Sequence, residues 1–321
     1  MIKNICVIGG GVLGSQIAFQ SAYSGYNVVI LARESEIDSY VKPKLDNLYN
    51  IYKDTINQMK HPKALANWPK GISDMDNFNA KECLDKVEKA YSSIKIISNQ
   101  EEALKDIDLV IESITENLDV KLDLYKGIAD KLEDKTILVT NSSTFLPSQL
   151  AKATKRPEKF LALHFANKIW KNNTAEVMGH ADTKREYFDE VLGFAKGIRM
   201  IPLPIYKEKK GYLLNSMLVP FLLSAFDLMA GGVSDPETID EAWKSGTGAP
   251  EGPFEIMDVV GLETVKNIVE QYKKVPELLD PLFKKMLLPY NYKEMLEMVN
   301  QYIEEGKLGK STGEGFYKYD E

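Results

Sequence analysis

Basic charge, cysteine and long apolar runs are all scarce in this chain. Lysine and arginine total 40 against 47 aspartates and glutamates, a formal net charge of −7 over 321 residues. No positive field is available for nucleic acid, so a phosphorylated partner has to be met by local lysines and arginines. The two cysteines, Cys6 and Cys83, imply neither a disulfide framework nor a metal cluster, and Cys6 sits inside an apolar run where a packed thiol is expected. The three histidines lack a paired ligand spacing, so no metal site is expected. No apolar run approaches the roughly 20 residues of a membrane span, and the start carries no signal-peptide pattern. The expectation is a soluble cytoplasmic enzyme with no membrane partner. At 44% hydrophobic and 27% charged residues, the chain can bury one large core or two moderate ones.

What is present is organised around residues 2–33, which read as strand, glycine turn, helix, strand. IKNICVIGG is a short apolar run that stops in glycine, as a buried parallel strand does. Gly9, Gly11 and Gly14 then form G-x-G-x-x-G: the first permits a tight turn, the second lets a pyrophosphate approach the backbone, and the third lets the helix sit close to the sheet. Val12, Leu13, Ile17, Ala18 and Ala22 give that helix an apolar face, and Gly25 is its expected stop. Free amides at the helix start would hold phosphates. An NAD-binding unit usually closes its second strand with Asp or Glu, to bind the ribose 2′-hydroxyl. Here that register falls at Ala32, followed by Arg33, and a guanidinium in place of a carboxylate leans towards NADP over NAD. The alternative is a solvated Arg33, with Glu34 or Glu36 taking the ribose.

Residues 36–91 interrupt the alternating pattern with a helical hairpin. Val41, Leu45, Leu48, Tyr49, Tyr52 and Ile56 recur at helical spacing, Pro62 and Pro69 break the run, and residues 80–90 form a second helix. Lys42, Lys44, Lys53 and Lys60 either meet a phosphate-rich ligand or form a solvated face. Apolar strands resume at 94–98, 107–114, 136–142 and 160–166, with shorter closing strands, open to antiparallel pairing, at 175–179 and 200–205. The pattern is that of an α/β fold with a doubly wound sheet. Helices are expected at 211–230, 255–272, 276–287 and 292–304, with Asp235 and Pro236 starting another. A dinucleotide-binding domain over 1–204 and an all-α domain over 205–321 follow from this.

Ligands of such a sheet lie beyond the carboxyl ends of its strands. Glu116 and Lys121 follow one strand end, Ser142 and Ser143 the next, and His164 closes FLALHFAN with Glu176 in AEVMG. A hairpin return between His164 and Glu176 can bring the two side chains together. An imidazole titrates near neutral pH and can exchange a proton with a substrate oxygen, while a carboxylate on its other nitrogen fixes the tautomer. His61 in the insertion and His180 after AEVMG lack such a setting.

The glycine turn, VIESITENLDVK, TNSST, HFAN with its later glutamate, GYLLNSMLVP, GTGAPEGPFEIMDVVGLET and GEGFYKY occur in the order found in the L-3-hydroxyacyl-CoA dehydrogenase family, which this chain resembles over almost its full length. The resemblance implies a Rossmann-type domain, a helical C-terminal domain that dimerises, and hydride transfer at C3 of a 3-hydroxy or 3-oxo acyl compound. It implies His164 as acid/base, Glu176 as its orienting acid, and Ser143 (or Ser142, one residue away) and Asn215 at the substrate oxygen. Gly9, Gly11, Val12, Leu13, Gly14, Arg33, Glu116, Lys121, Asn141 and Asn167 match cofactor-side positions. HFANKIWKNNTAE departs from the usual HFFNP pattern: Ala166 replaces a phenylalanine, the proline is absent and Trp170 is added. No serine and lysine that would hold a CoA adenine end can be placed in the insertion. NSSTFLPS, HFANKIW and GTGAPEGPFEI resemble a diketoreductase-like branch whose substrates lack CoA. A catalytically silent nucleotide-binding or structural protein is the alternative from another class.

Overall fold

The computed structural model describes residues 2–65, 67–273 and 290–319. The chain divides into two compact units, Met1–Leu213 and Leu214–Glu321.

The first unit is built on an eight-stranded sheet in the order β3-β2-β1-β4-β5-β6-β7-β8. Its strands are β1 (Asn4–Ile8), β2 (Asn27–Leu31), β3 (Lys95–Ile97), β4 (Leu109–Glu112), β5 (Ile137–Thr140), β6 (Phe160–Phe165), β7 (Thr174–Met178) and β8 (Ile201–Ile205). The strands from β3 through β6 are parallel; β7 pairs antiparallel with β6, and β8 pairs parallel with β7. Continuous apolar runs are required because both faces are covered. In β1, Ile5 and Val7 enter one core with Ile17, Phe19 and Ile111, while Cys6 and Ile8 enter the other with Val110, Tyr125 and Phe160. Burial raises the Cys6 thiol to about 12, which keeps it an inert packing group.

Helix α1 (Val12–Tyr23) follows the glycine turn. From Gly14 to Tyr23 it is buried on every side, so it has no single apolar face. Val12 was expected on such a face but is 57% exposed, as the first residue of the helix. Gly25, at φ +93°, ends the helix in the left-handed region. The expected hairpin is α2 (Lys42–Met59) and α3 (Ala80–Ser93), the latter capped by the Asn79 side chain accepting from the amides of Lys81 and Glu82. Lys42 pairs with Asp38, Lys44 lies over the Tyr40 ring, Lys53 meets Glu88 and Lys60 meets Asn57, so all four lysines have local partners. Helix α4 (Leu118–Ile128) starts at Asn117 and α5 (Arg185–Gly197) precedes β8.

The first unit extends beyond residue 204. After β8 the chain returns to β7: the Lys209 amide meets the Met178 sulfur at 3.3 Å and the Leu213 amide meets Glu176 at 2.8 Å.

The second unit contains α6 (Leu214–Ala230), α7 (Pro236–Thr247), α8 (Pro253–Val260), α9 (Leu262–Lys273) and α10 (Tyr292–Glu304). Residues 211–213 were expected within α6, but Gly211 and Tyr212 have φ of +78° and +52°, which no right-handed helix accommodates. The helix expected at 255–272 is two, broken at Gly261 (φ +92°), where the next amide turns to the Leu308 carbonyl. The helix expected at 276–287 lies outside the described residues. Leu222, Phe226, Phe254, Met257, Val269, Met295 and Phe316 form the core. The GEGFYKY motif has a packing role here: Asp258 accepts from the amides of Phe316 and Tyr317 and from the Tyr319 hydroxyl. A β-carbon on Gly315 would lie 2.1 Å from the Asp258 carboxylate. Among the described residues, no helix is long and apolar enough to cross a membrane.

Candidate active site

Two loop systems at the carboxyl end of the sheet carry the sequence-selected residues. The first is the glycine turn. Gly9 has φ +104°, and a β-carbon there would lie 2.5 Å from the Ser113 carbonyl oxygen. A β-carbon on Gly14 would lie 2.1 Å from the Gly9 carbonyl oxygen, so only glycine lets α1 begin this close to β1. Around Gly11 no atom lies within 4 Å of the β-carbon position, and as N-cap it offers no side-chain hydrogen bond. Open space beside uncapped amides fits a pyrophosphate. Val12 and Leu13 form the first turn there. A β-carbon on Gly10 would meet Val41 at 2.4 Å, so the insertion is seated directly against this turn.

At the end of β2, Ala32 is buried and Arg33 points outward, its side chain 81% exposed and paired with Glu36. Glu34 accepts from the Ser98 hydroxyl. Arg33 is thus held by a carboxylate within its own turn.

The second system joins β4, β5, β6 and β7. His164 and Glu176 are directly opposed in the antiparallel β6–β7 register, which puts both side chains on one face of the sheet. The His164 Nδ1 lies 2.9 Å from Glu176 Oε2, and its Nε2 lies 3.0 Å from the Ser143 Oγ. A carboxylate only accepts, so Nδ1 carries the proton in neutral His164 and Nε2 is free to accept from Ser143. The other Glu176 oxygen accepts the Leu213 N–H. Of the two serine candidates, Ser143 therefore faces the imidazole; Ser142 is buried and donates to Glu116.

Glu116 and Lys121 are joined to the Ser143 turn by a polar network. One Glu116 oxygen accepts from the Ser142 hydroxyl, the amides of Ser143 and Thr144, and the Thr144 hydroxyl. Burial works to raise this carboxyl, but these donors and Lys121 outweigh it and hold it below the ordinary carboxyl range. Lys121 is buried, with its Nζ 2.6 Å from Glu112 and 3.2 Å from Glu116. Both residues therefore support the Ser143 turn. Asn141 accepts the Phe165 amide at 3.1 Å, which fixes the end of β6, and Asn167 accepts from Gln16 at 2.7 Å, which ties the β6–β7 loop to α1. Asn215 is the second residue of α6, in the second unit, and its assignment rests on the sequence pattern.

His180 has a bland role: its Nε2 donates to the Pro157 carbonyl and its Nδ1 accepts from the Asp182 amide. Trp170 is buried, its ring 5.6 Å from that of Tyr52 in the insertion. Its backbone approaches so closely that a β-carbon on Gly71 would lie 2.7 Å from the Trp170 Cα. Sequence reasoning passed over Glu112, Gln16 and Tyr212. The last stands inside a motif already singled out, but nothing in the sequence shows where its ring goes.

Comparison with known proteins gives consistent matches. The profiles for "3-hydroxyacyl-CoA dehydrogenase, NAD binding domain" and "3-hydroxyacyl-CoA dehydrogenase, C-terminal domain" match residues 4–209 and 211–319. The mitochondrial hydroxyacyl-coenzyme A dehydrogenase of Sus scrofa is 32% identical over 319 residues, covering 99% of this chain and 92% of the relative. A 3-hydroxybutyryl-CoA dehydrogenase of Clostridioides difficile is 29% identical, covering 98% of this chain and 99% of its own. Among solved structures, a diketoreductase described as performing substrate-directed dual catalysis of dicarbonyl compounds is 42% identical with a TM-score of 0.82, covering 99% of both chains.

Proposed function

This chain belongs to the 3-hydroxyacyl-CoA dehydrogenase family and is an oxidoreductase acting on CH–OH groups with NAD; from that premise we propose that it interconverts a 3-hydroxy and a 3-oxo group, with His164 and Glu176 as its acid/base pair. The observation that carries this reading is the chain Ser143–His164–Glu176, with contacts of 3.0 and 2.9 Å. The nicotinamide cofactor, when bound, would supply hydride chemistry: its reduced form would give hydride to the C3 carbonyl carbon, and its oxidised form would accept it from the C3 alcohol. In the reducing direction, protonated His164 gives its Nε2 proton to the substrate oxygen as that oxygen gains charge. Glu176 stabilises the imidazolium and holds its Nδ1–H, and Ser143 donates to the same oxygen. In oxidation the same Nε2 accepts the hydroxyl proton.

A CoA-free dicarbonyl substrate is the second reading. The 42% identity to the diketoreductase favours it, as does the Trp170 loop packed onto the insertion. The test is NADH oxidation with acetoacetyl-CoA against a CoA-free 3-keto ester at matched concentration, with His164→Gln as control. Thioester preference supports the acyl-CoA reading, and turnover of the ester alone supports the second. His164→Gln should lose at least about 100-fold in kcat, the scale of general acid catalysis, with NADH affinity kept. A variant that retained turnover would remove His164 from the role.

A further inference from the structure

Tyr212 is used by none of the steps above, yet it touches both halves of the site. Its ring stacks on the His164 imidazole, centroids 4.5 Å apart and planes 23° from parallel. Its hydroxyl donates to the Ser142 carbonyl at 2.7 Å, within the turn that presents Ser143. The next amide, Leu213 N–H, donates to Glu176. Tyr212 is 1% exposed and has φ +52°, a left-handed conformation that residues bearing a β-carbon rarely adopt. Such a conformation persists where surrounding contacts over-determine it, and functional sites are where it collects.

We propose that Tyr212 is a positioning residue that sets the His164 imidazole and the Ser143 turn at their working separation. The inference rests on His164 being the acid/base. Packing between sheet neighbours does not by itself fix an imidazole about its Cβ–Cγ bond. The ring of Tyr212 covers one face, Glu176 holds Nδ1, and Nε2 is then aimed at Ser143. The phenol ties the same ring to the backbone immediately before Ser143, so the two groups that meet the substrate oxygen share one brace. Burial, followed by the carboxylates of Glu116, Glu176, Glu112 and Glu208, raises the phenol far above its ordinary range, so its hydroxyl stays a donor. General acid catalysis depends on heavy-atom distances held to fractions of an ångström, so a loosened brace slows proton transfer without affecting a cofactor bound at the glycine turn.

Tyr212→Phe removes the hydroxyl and keeps the ring; Tyr212→Leu removes both. The experiment measures kcat, the KM for NADH and the solvent deuterium isotope effect on ketone reduction, using whichever keto substrate the wild-type enzyme turns over. Tyr212→Phe is expected to lower kcat about tenfold, the order for one lost buried hydrogen bond. Its KM for NADH should be unchanged and its solvent isotope effect larger, because proton delivery becomes more rate-limiting. Tyr212→Leu should fall further. Wild-type kcat and isotope effect in Tyr212→Phe would overturn the proposal, as would a fall in kcat matched by an equal loss of NADH affinity, which marks a general structural role. Should Tyr212→Leu fail to fold, the Phe variant carries the test alone. His164→Gln run alongside separates the two readings: if it stays active, the assignment of the acid/base fails; if it is inactive while Tyr212→Phe behaves as wild type, only the role of Tyr212 fails.

Discussion

Replacing Glu112 by glutamine perturbs the most deeply buried charge in the first unit's polar network while keeping its shape. Glu112 is fully buried at the end of β4; one oxygen accepts from the Lys121 ammonium at 2.6 Å and the Ile114 amide at 2.9 Å. The other accepts from the Tyr125 hydroxyl at 2.5 Å and the Thr140 hydroxyl at 2.7 Å. Those hydroxyls can rotate to accept from a glutamine amide, so most of the hydrogen bonds survive and the lost charge dominates. Breaking a buried ion pair by removing one partner costs about 3–5 kcal/mol. Lys121 keeps Glu116 at 3.2 Å, which places the cost at the lower end, about 3 kcal/mol. With a urea slope of about 3 kcal/mol/M for a unit of this size, the midpoint should fall by about 1 M. Trp68 and Trp170 report on the first unit, and a Trp243→Phe background removes the fluorophore of the second. The double variant Glu112→Gln/Lys121→Met should recover most of the loss, since an apolar side chain leaves no buried charge to compensate. A midpoint shift below about 0.3 M for the single variant, or a double variant less stable than the single, would refute the reasoning.

Glu116 supplies a pH dependence. Its carboxyl is lowered in the folded state, so its stabilisation is complete above the unfolded carboxyl value of about 4.3 and is lost as pH falls through the folded one. The urea midpoint of Glu116→Gln should therefore lie below wild type at pH 7, and the gap should narrow as pH falls below the unfolded value of about 4.3; a gap that stays constant on acidification would count against the assignment. At the cofactor end, Arg33→Ala should weaken NADPH far more than NADH if the guanidinium meets a 2′-phosphate. Glu36→Gln, which frees Arg33 from its ion pair, should strengthen NADPH; equal effects on both cofactors would show that Arg33 takes no part in the choice.

Much of this was legible from local pattern. The glycine turn could be recognised because G-x-G-x-x-G followed an apolar strand and opened a helix, and its geometry explains each glycine by a carbonyl or an open space. The His164–Glu176 pairing was accessible as a hairpin return, because strand period and register carry side chains to one face. Boundaries were less accessible. The start of α6 and the break at Gly261 depend on left-handed backbone at Gly211, Tyr212 and Gly261, and at Tyr212 no residue type announces it.

The sequence by itself determined the alternation of strands and helices, the glycine turn and the pairing of His164 with Glu176, since each depends on residue type at fixed spacing. Tertiary structure decided what the charged residues do. Glu116 accepts from the Ser143 turn and from buried Lys121, and Tyr212 is folded over the imidazole. Those outcomes depend on which distant segments meet in space: a carboxylate takes whichever donors lie within about 3 Å, and only the packed sheet brings β4, β5, β6 and the strand-end loops to that distance.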